Sequence, residues 1–326
     1  MKKIWTVIII IVVTITIVSV FAIRKINNPA DNVKSKIRVG YLSLASSLPF
    51  FVAENKGYFK EEGIEVESFN LASSNEAADA LLANRIDATS IAALSVWMAI
   101  EQRSPETLKI FLMTYASDKT TVHRILAKTN TSIKDLSDLN GKTIGTFPGL
   151  QMKVFTNLIL QKYFNIETLQ IVQLSPPLQK DALASGRIDA LFCLEPVGTI
   201  CKEAGIGEPI AINPLYEHIL KPFPTAASVV SAKYAQEKPN VIEKYIKAIY
   251  RAIEYISENP SEARLLLPKY TSIKEDICQK VGIYDFWTVD DIDTVAVQQL
   301  ADLYVQHEIL EGKLNTNNLY FKTSFK

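Results

Sequence analysis

The chain has 326 residues, 48% apolar and 21% charged, and its thirty-five basic side chains balance thirty-five acidic ones. That length suits about two domains, the composition excludes a disordered polyelectrolyte, and the even charge excludes the clustered basic surface of a nucleic-acid binder. Its three cysteines (Cys193, Cys201, Cys278) form no CxxC pair and none sits near the N-terminus, which argues against a structural zinc site and against a lipidated N-terminal cysteine.

From Ile4 to Ile23, "IWTVIIIIVVTITIVSVFAI" carries no charge over twenty positions, with Lys2 and Lys3 before it and Arg24 and Lys25 after it. As a helix it would span about 30 Å, the hydrocarbon thickness of a bilayer. Residues 1–25 therefore read as an uncleaved transmembrane anchor, or as a secretory signal cleaved near Val20-Phe21-Ala22. Either reading carries the rest of the chain across a membrane. Residues 26–36, "INNPADNVKSK", read as a polar tether.

Beyond the tether, apolar strands alternate with helices. "IRVGYLSL" (Ile37–Leu44) reads as a strand, and Pro49 opens a helix ending near Gly57. Strand "IEVESFNL", helix "SNEAADALLANR", strand "IDATSI", helix "LSVWMAIEQ" and strand "LKIFLMTYA" follow. The order then restarts with "GKTIGTF", "GLQMKVFTNLILQKY", "LQIVQLS", "PPLQKDALASG" and "RIDALFCL". Alternation at this spacing predicts an α/β protein with mostly parallel sheets flanked by helices.

Two decapeptides mark the restart. "DALLANRIDA" (Asp79–Ala88) and "DALASGRIDA" (Asp181–Ala190) agree at seven of ten positions with an offset of 102 residues. Each ends a helix and enters a strand, so the two halves use one helix–turn–strand corner twice. The shared Arg85/Arg187 and Asp87/Asp189 are expected to build that corner.

Four segments carry a resemblance. "IRVGYLSLASSLPFFVAENKGYFKEEGIEVE", "LSDLNGKTIGTFPG", "ALASGRIDALFCLEP" and "VIEKYIKAIYRAIEYISENPSEARLLLPKY" resemble, in this order, segments of the solute-binding proteins of ABC importers. The branch is the nitrate/sulfonate/taurine one, which also contains thiamine-pyrimidine-precursor synthases; the likeness runs from about Lys36 to His307. It implies the type II periplasmic-binding-protein fold, an α/β fold of two lobes whose chain crosses between them twice. Lobe 1 would comprise 37–122 and 225–326, lobe 2 would comprise 123–224, and the crossings would lie near Val122–Ile125 and Phe223–Ala226. The resemblance also implies an extracytoplasmic protein that holds a small-molecule ligand between its lobes and delivers it to an ABC permease and ATPase, or a sensor on the same fold.

In open α/β sheets ligands sit outside the carboxyl ends of the strands, where helix starts expose backbone N–H groups. The corresponding loops supply Ser46, Ser47, Ser73, Ser74 and Ser90 in the first half, and Gly149, Leu150, Gln151, Ser175 and Glu195 in the second. The serines serve equally as ordinary helix caps. Gly149 suits a turn with positive φ, Gln151 either meets ligand or faces water, and Trp97 reads first as a packing residue. Glu195 aligns with Ala93 at the same offset, so the halves differ there by a carboxylate next to Pro196, a favoured first helical residue.

No catalytic residue, metal site or cofactor is expected. His123, His218 and His307 lack metal-ligand spacing and read as surface or structural residues; no G-x-S-x-G or P-loop occurs. The synthases' cysteine-rich motif is absent as well. The cleft loops hold no Arg, and no Lys before Lys153, while Glu195 suits N–H donors. That pattern favours a nitrogen heterocycle, amine or zwitterion as ligand, with an organic sulfonate as alternative. A Cys193–Cys201 disulfide stays open, although the flanks "LFCLE" fit a buried thiol.

Overall fold

The computed structural model describes residues 35–322. The anchor or signal segment and most of the tether lie outside them, and among the described residues no helix is long and apolar enough to cross a membrane. Among the described residues twelve strands form two sheets: β1 (Ser35–Leu42), β2 (Ile64–Leu71), β3 (Ala88–Thr89), β4 (Ala92–Ala93), β5 (Leu108–Ala116), β6 (His123–Lys128), β7 (Thr143–Thr146), β8 (Gln170–Gln173), β9 (Ala190–Leu194), β10 (Gly207–Ile212), β11 (Phe223–Ser231) and β12 (Asp285–Thr288).

The first sheet runs β12-β5-β11-β3-β1-β2, with β4 paired to β11; the second runs β10-β6-β9-β7-β8. The repeat is visible in the order. Three successive strands lie with the first in the middle, as β2-β1-β3 in one sheet and β8-β7-β9 in the other. The next strand along is in each case the one that has just crossed over. β6, arriving from the first sheet, pairs antiparallel with β9, and β11, arriving from the second, pairs antiparallel with β3 and β5. Both sheets are therefore mixed, parallel where the repeated units lie and antiparallel at the crossovers. The expected strand "IDATSI" is divided, because the chain turns at Ser90 and Ile91 between β3 and β4.

The repeated decapeptide has a specific job. Ala88 pairs with Val39 and Ala190 with Ile144, so Arg38 and Thr143 hold equivalent places one residue before these pairs on the two central strands. The Asp87 carboxylate accepts the Arg38 backbone N–H at 2.9 Å, and the Asp189 carboxylate accepts that of Thr143 at 2.9 Å. In return the Asp87 and Asp189 amides donate to the Arg38 and Thr143 carbonyls, each at 2.8 Å. A carboxylate on a backbone N–H is a charge-assisted bond, worth roughly 1.5–3 kcal/mol. Arg85 and Arg187 are exposed and do not build the corner; a charged arginine gains more from water than from this apolar turn. The buried Ile86 and Ile188 do the packing.

Each isoleucine covers a glycine. A Cβ placed on Gly40 would lie 2.5 Å from Leu71 Cδ1 and 2.9 Å from Ile86 Cδ1; one on Gly145 would lie 2.6 Å from Ile188 Cδ1 and 3.4 Å from Leu174 Cδ1. Both halves thus lay the corner isoleucine, and a leucine at the end of the second strand or just past it, across a glycine of the central strand.

The C-terminal helices Pro239–Glu258 and Thr294–Gln306 cover the first sheet, and Tyr245 and Tyr304 on them are fully buried. Cys193, Cys201 and Cys278 are free, buried thiols, so the Cys193–Cys201 disulfide is not formed.

Gly145→Ala forces Ile188 out of this packing and should destabilise the protein by about 1–3 kcal/mol. Urea unfolding measures this; an unchanged midpoint would show that the corner repacks at no cost.

Candidate functional site

A cavity of about 470 Å³ opens at the carboxyl ends of the strands, within the size range of small-molecule sites. One wall comes from the first sheet and its helices: Leu42, Leu44, Ser46, Ser74, Ile91, Ala93, Ser95 and Thr225. The other comes from the second, with His123, Phe147, Gly149, Leu150, Gln151, Met152 and Leu194; Tyr284 closes one side.

Of the ten residues expected at a ligand, Ser46, Ser74, Gly149, Leu150 and Gln151 line this cavity. The other five are placed elsewhere. Ser47 Oγ donates to the Leu42 carbonyl at 2.8 Å and lies 3.0 Å from Ser90 Oγ, so both hydroxyls tie the first-sheet loops together beneath the cavity. Ser73 is a helix cap: its hydroxyl accepts the Glu76 N–H at 3.2 Å, while the Glu76 carboxylate accepts from Ala72 N–H at 2.7 Å. Ser175 lines a neighbouring cavity with Tyr41, Lys269 and Tyr270.

Glu195 is 1% exposed and does not line the cavity. It forms an ion pair with Arg124, and its Oε2 accepts the Thr199 N–H at 3.2 Å. A buried carboxylate needs a counter-charge, and the strand beside it supplies one. This corrects the expectation that Glu195 reads a ligand. The helix that follows begins at Val197, with Pro196 at its cap position rather than as its first residue.

Two helix starts reach the wall without side-chain caps. The helix Leu150–Leu160 begins at Gly149, whose φ of 136° suits glycine, and the helix Leu94–Arg103 begins at Ala93. First-turn N–H groups have no partner inside a helix, so these starts present donors and a partial positive charge. Ser95 Oγ donates across the cleft to Gln151 Oε1 at 2.7 Å, and the Ala45 N–H donates to the Glu195 carbonyl at 3.1 Å. Phe155 lies 5.6 Å from Phe223 and 5.7 Å from Tyr304, ring centre to ring centre. The cleft is closed in this structure.

Several wall residues escape the reading of the sequence. His123 is 1% exposed, and burial pushes its pKa down to about 3, so the imidazole is neutral. Its ring meets Tyr284 edge-on at 5.8 Å. The signal for it was its place at the crossover, since a strand passing between lobes borders the cleft. Ser95 was legible as a first-turn residue after the third strand. Tyr284 lies outside the repeat and left no signal. Arg103 also lines the cavity, from the end of a helix rather than from the loops that were read as holding no Arg; its guanidinium pairs with Glu311 at 2.7 Å. Trp97 is packing: fully buried, it donates Nε1–H to the Ala227 carbonyl at 3.0 Å. Among the described residues no three His, Cys, Asp or Glu side chains gather as metal ligands.

Two α/β lobes with a closed cleft at their strand ends are the periplasmic-binding-protein fold. Residues 45–263 match the NMT1/THI5-like family model, and the chain belongs to that family. A Bacillus subtilis (strain 168) protein named for binding aliphatic sulfonates is 23% identical over 303 residues, which are 89% of this chain and 87% of that protein. A 4-amino-5-hydroxymethyl-2-methylpyrimidine phosphate synthase of Saccharomyces cerevisiae is 22% identical over 248 residues, covering 66% of this chain and 65% of the enzyme. Among solved structures, the alkanesulfonate-binding protein SsuA of Xanthomonas axonopodis pv. citri, bound to MOPS, superposes with a TM-score of 0.70 at 15% identity, over 88% of this chain and 98% of that one. The ligand-binding component of an ABC-type import system from Staphylococcus aureus, with zinc bound, gives 0.73 at 15%, over 89% and 97%.

Replacing Glu195 by Gln leaves Arg124 buried without a counter-charge and should cost about 3–5 kcal/mol in urea unfolding; unchanged stability would show the pair to be dispensable. His123 gives a pH dependence. Its folded pKa is about 3 against an ordinary 6.5, so the unfolded chain binds the extra proton as the pH falls between those values. Its contribution is whole above about pH 6.5 and shrinks toward pH 3, by up to about 1.4 kcal/mol per unit. His123→Gln should flatten the stability–pH curve in that window; the same slope in both proteins would show that the buried imidazole is not its source.

Proposed function

We propose that this protein is an extracytoplasmic solute-binding protein, held at the membrane by its N-terminal segment, that captures a small organic ligand in the interlobe cavity and delivers it to an ABC importer. In this reading 37–122 with 225–326 form one jaw and 123–224 the other, hinged at 122–125 and 223–226. The carrying observation is the cavity itself, walled by both lobes and faced by two uncapped helix starts. Binding rather than catalysis fits the wall, whose one histidine is neutral and stands beside no nucleophile–base pair.

The ligand class follows from the wall. The preference for a nitrogen heterocycle, amine or zwitterion rested on Glu195 and on cleft loops without Arg; the pairing of Glu195 with Arg124 removes the first argument, and Arg103 on the wall weakens the second. The wall is mostly apolar (Leu42, Leu44, Ile91, Phe147, Met152, Leu194), with Ser46, Gln151 and helix-start N–H groups as polar partners, Arg103 as a cation paired with Glu311, and Asp79 as a carboxylate. Such a site suits a short apolar body carrying one anionic or strongly polar head, and an organic sulfonate is the leading candidate. The sulfonate-binding names of two similar proteins support the same choice.

Gln151 both lines the cavity and bonds across it, so Gln151→Ala should weaken binding of a short-chain alkanesulfonate about fivefold to tenfold, as expected for one hydrogen bond. Titration calorimetry with a series of alkanesulfonates and matched alkylamines tests this. Tighter binding of the amines would overturn the ligand class, and an unchanged Gln151→Ala affinity would overturn the site.

A further inference from the structure

A second cavity, of about 580 Å³, lies on the far side of Tyr284, which borders both. It is bounded by the first crossover (Lys119 to Arg124), by the ends of the C-terminal helices, and by the segment leading into β12. Four cationic side chains line it, Lys119, Arg124, Arg264 and Lys280, against one carboxylate, Asp285. Arg124 is paired with Glu195 and Lys280 with Glu203, and Asp285 accepts the Ser117 hydroxyl at 2.7 Å.

Arg264 and Lys119 are in surplus. Among the described residues neither has a carboxylate at ion-pair distance. Arg264 commits only its Nε, to the Val281 carbonyl at 2.8 Å. Its guanidinium is partly withdrawn from water, which pushes its pKa down, yet it stays charged because arginine does not deprotonate in proteins. A half-buried charge without a partner is unfavourable unless an anion answers it. A second and independent sign is Thr120 on the same wall, whose Oγ1 is buried with no hydrogen-bond partner.

The walls are held in place. A Cβ on Gly282 would overlap the Thr121 carbonyl, so the β12 segment and the crossover meet backbone to backbone. Along the crossover, His123 faces the first cavity and Arg124 the second.

We propose that this second cavity binds a tetrahedral oxyanion, phosphate or sulfate, through Arg264, Lys119, Arg124 and the Thr120 hydroxyl. The site is separate from the ligand cleft and holds the outer face of the first crossover.

The test is equilibrium dialysis of the full chain in mild detergent against labelled inorganic phosphate, with ionic strength held constant by chloride. One saturable site is expected. Arg264→Gln and Lys119→Gln should each weaken it about tenfold, the loss of one charged hydrogen bond. Lys119 is exposed, so its variant keeps the fold even if Arg264→Gln does not, and it should bind the cleft ligand unchanged. Gln151→Trp, which fills the first cavity, should leave phosphate binding intact. No saturable binding would overturn the proposal. So would phosphate binding that is lost in Gln151→Trp and kept in Lys119→Gln, because the anion would then occupy the cleft.

Discussion

The architecture depends on one arrangement made twice: an aspartate carboxylate gripping the backbone of a sheet's central strand just before its neighbour begins to pair with it. Asp87 holds Arg38 and Asp189 holds Thr143 through a shared pair of bonds, one carboxylate on the backbone N–H and one amide on the carbonyl, and Asp87 adds an ion pair with the Arg38 guanidinium at 2.6 Å. The grip sets the register of β3 against β1 and of β9 against β7. A one-residue slip would turn every buried side chain of a strand to the wrong face. With register fixed at the amino end, the opposite ends of the same strands deliver their loops to one cavity. The corner isoleucines press on Gly40 and Gly145 from one side, so clamp and packing reinforce each other.

Electrostatics divide the molecule along the first crossover. Neighbouring residues in a strand point to opposite faces, and here those faces are two cavities. His123 presents a neutral ring to one, and Arg124 presents a cation to the other. The Glu195 carboxylate is absorbed by Arg124. The charged side chains that line the ligand cleft are Arg103, itself paired with Glu311, and Asp79, beside the peptide dipoles of two helix starts.

Periodicity and the repeat made the scaffold legible. β2 and β5 fall where the alternation of apolar residues puts them, and the offset of 102 residues led to equivalent corners in the two sheets. What could not be read was direction and partnership. Arg85 and Arg187 recur in both halves, yet repetition cannot distinguish a residue kept for a contact from one kept for solubility. Glu195 looked like the odd carboxylate of the cleft because its partner, Arg124, lies 71 positions away on the crossing strand. The serines divided by geometry invisible in one dimension. Ser46 and Ser74 reach the cavity, whereas Ser47 and Ser90, one turn or one loop away, are spent on each other. Gly149, Leu150 and Gln151 were the readable part of the cavity wall, since a glycine before a helix fixes both the turn and the direction of the first N–H groups.

The exchange of β6 and β11 between sheets also orders the birth of the molecule on the ribosome. All strands of the second sheet lie between His123 and Ile212, so that sheet can close once this stretch has emerged. The first sheet cannot. Its centre needs β11 to pair Val230 with Ala88, and its edge needs β12 and the bridge of Ile110 to Tyr320. Contacts so distant in sequence form late, because the loop they close is long. Until β11 is made, β3 and β5 lack the antiparallel partner that joins them, and the centre of the first sheet stays open.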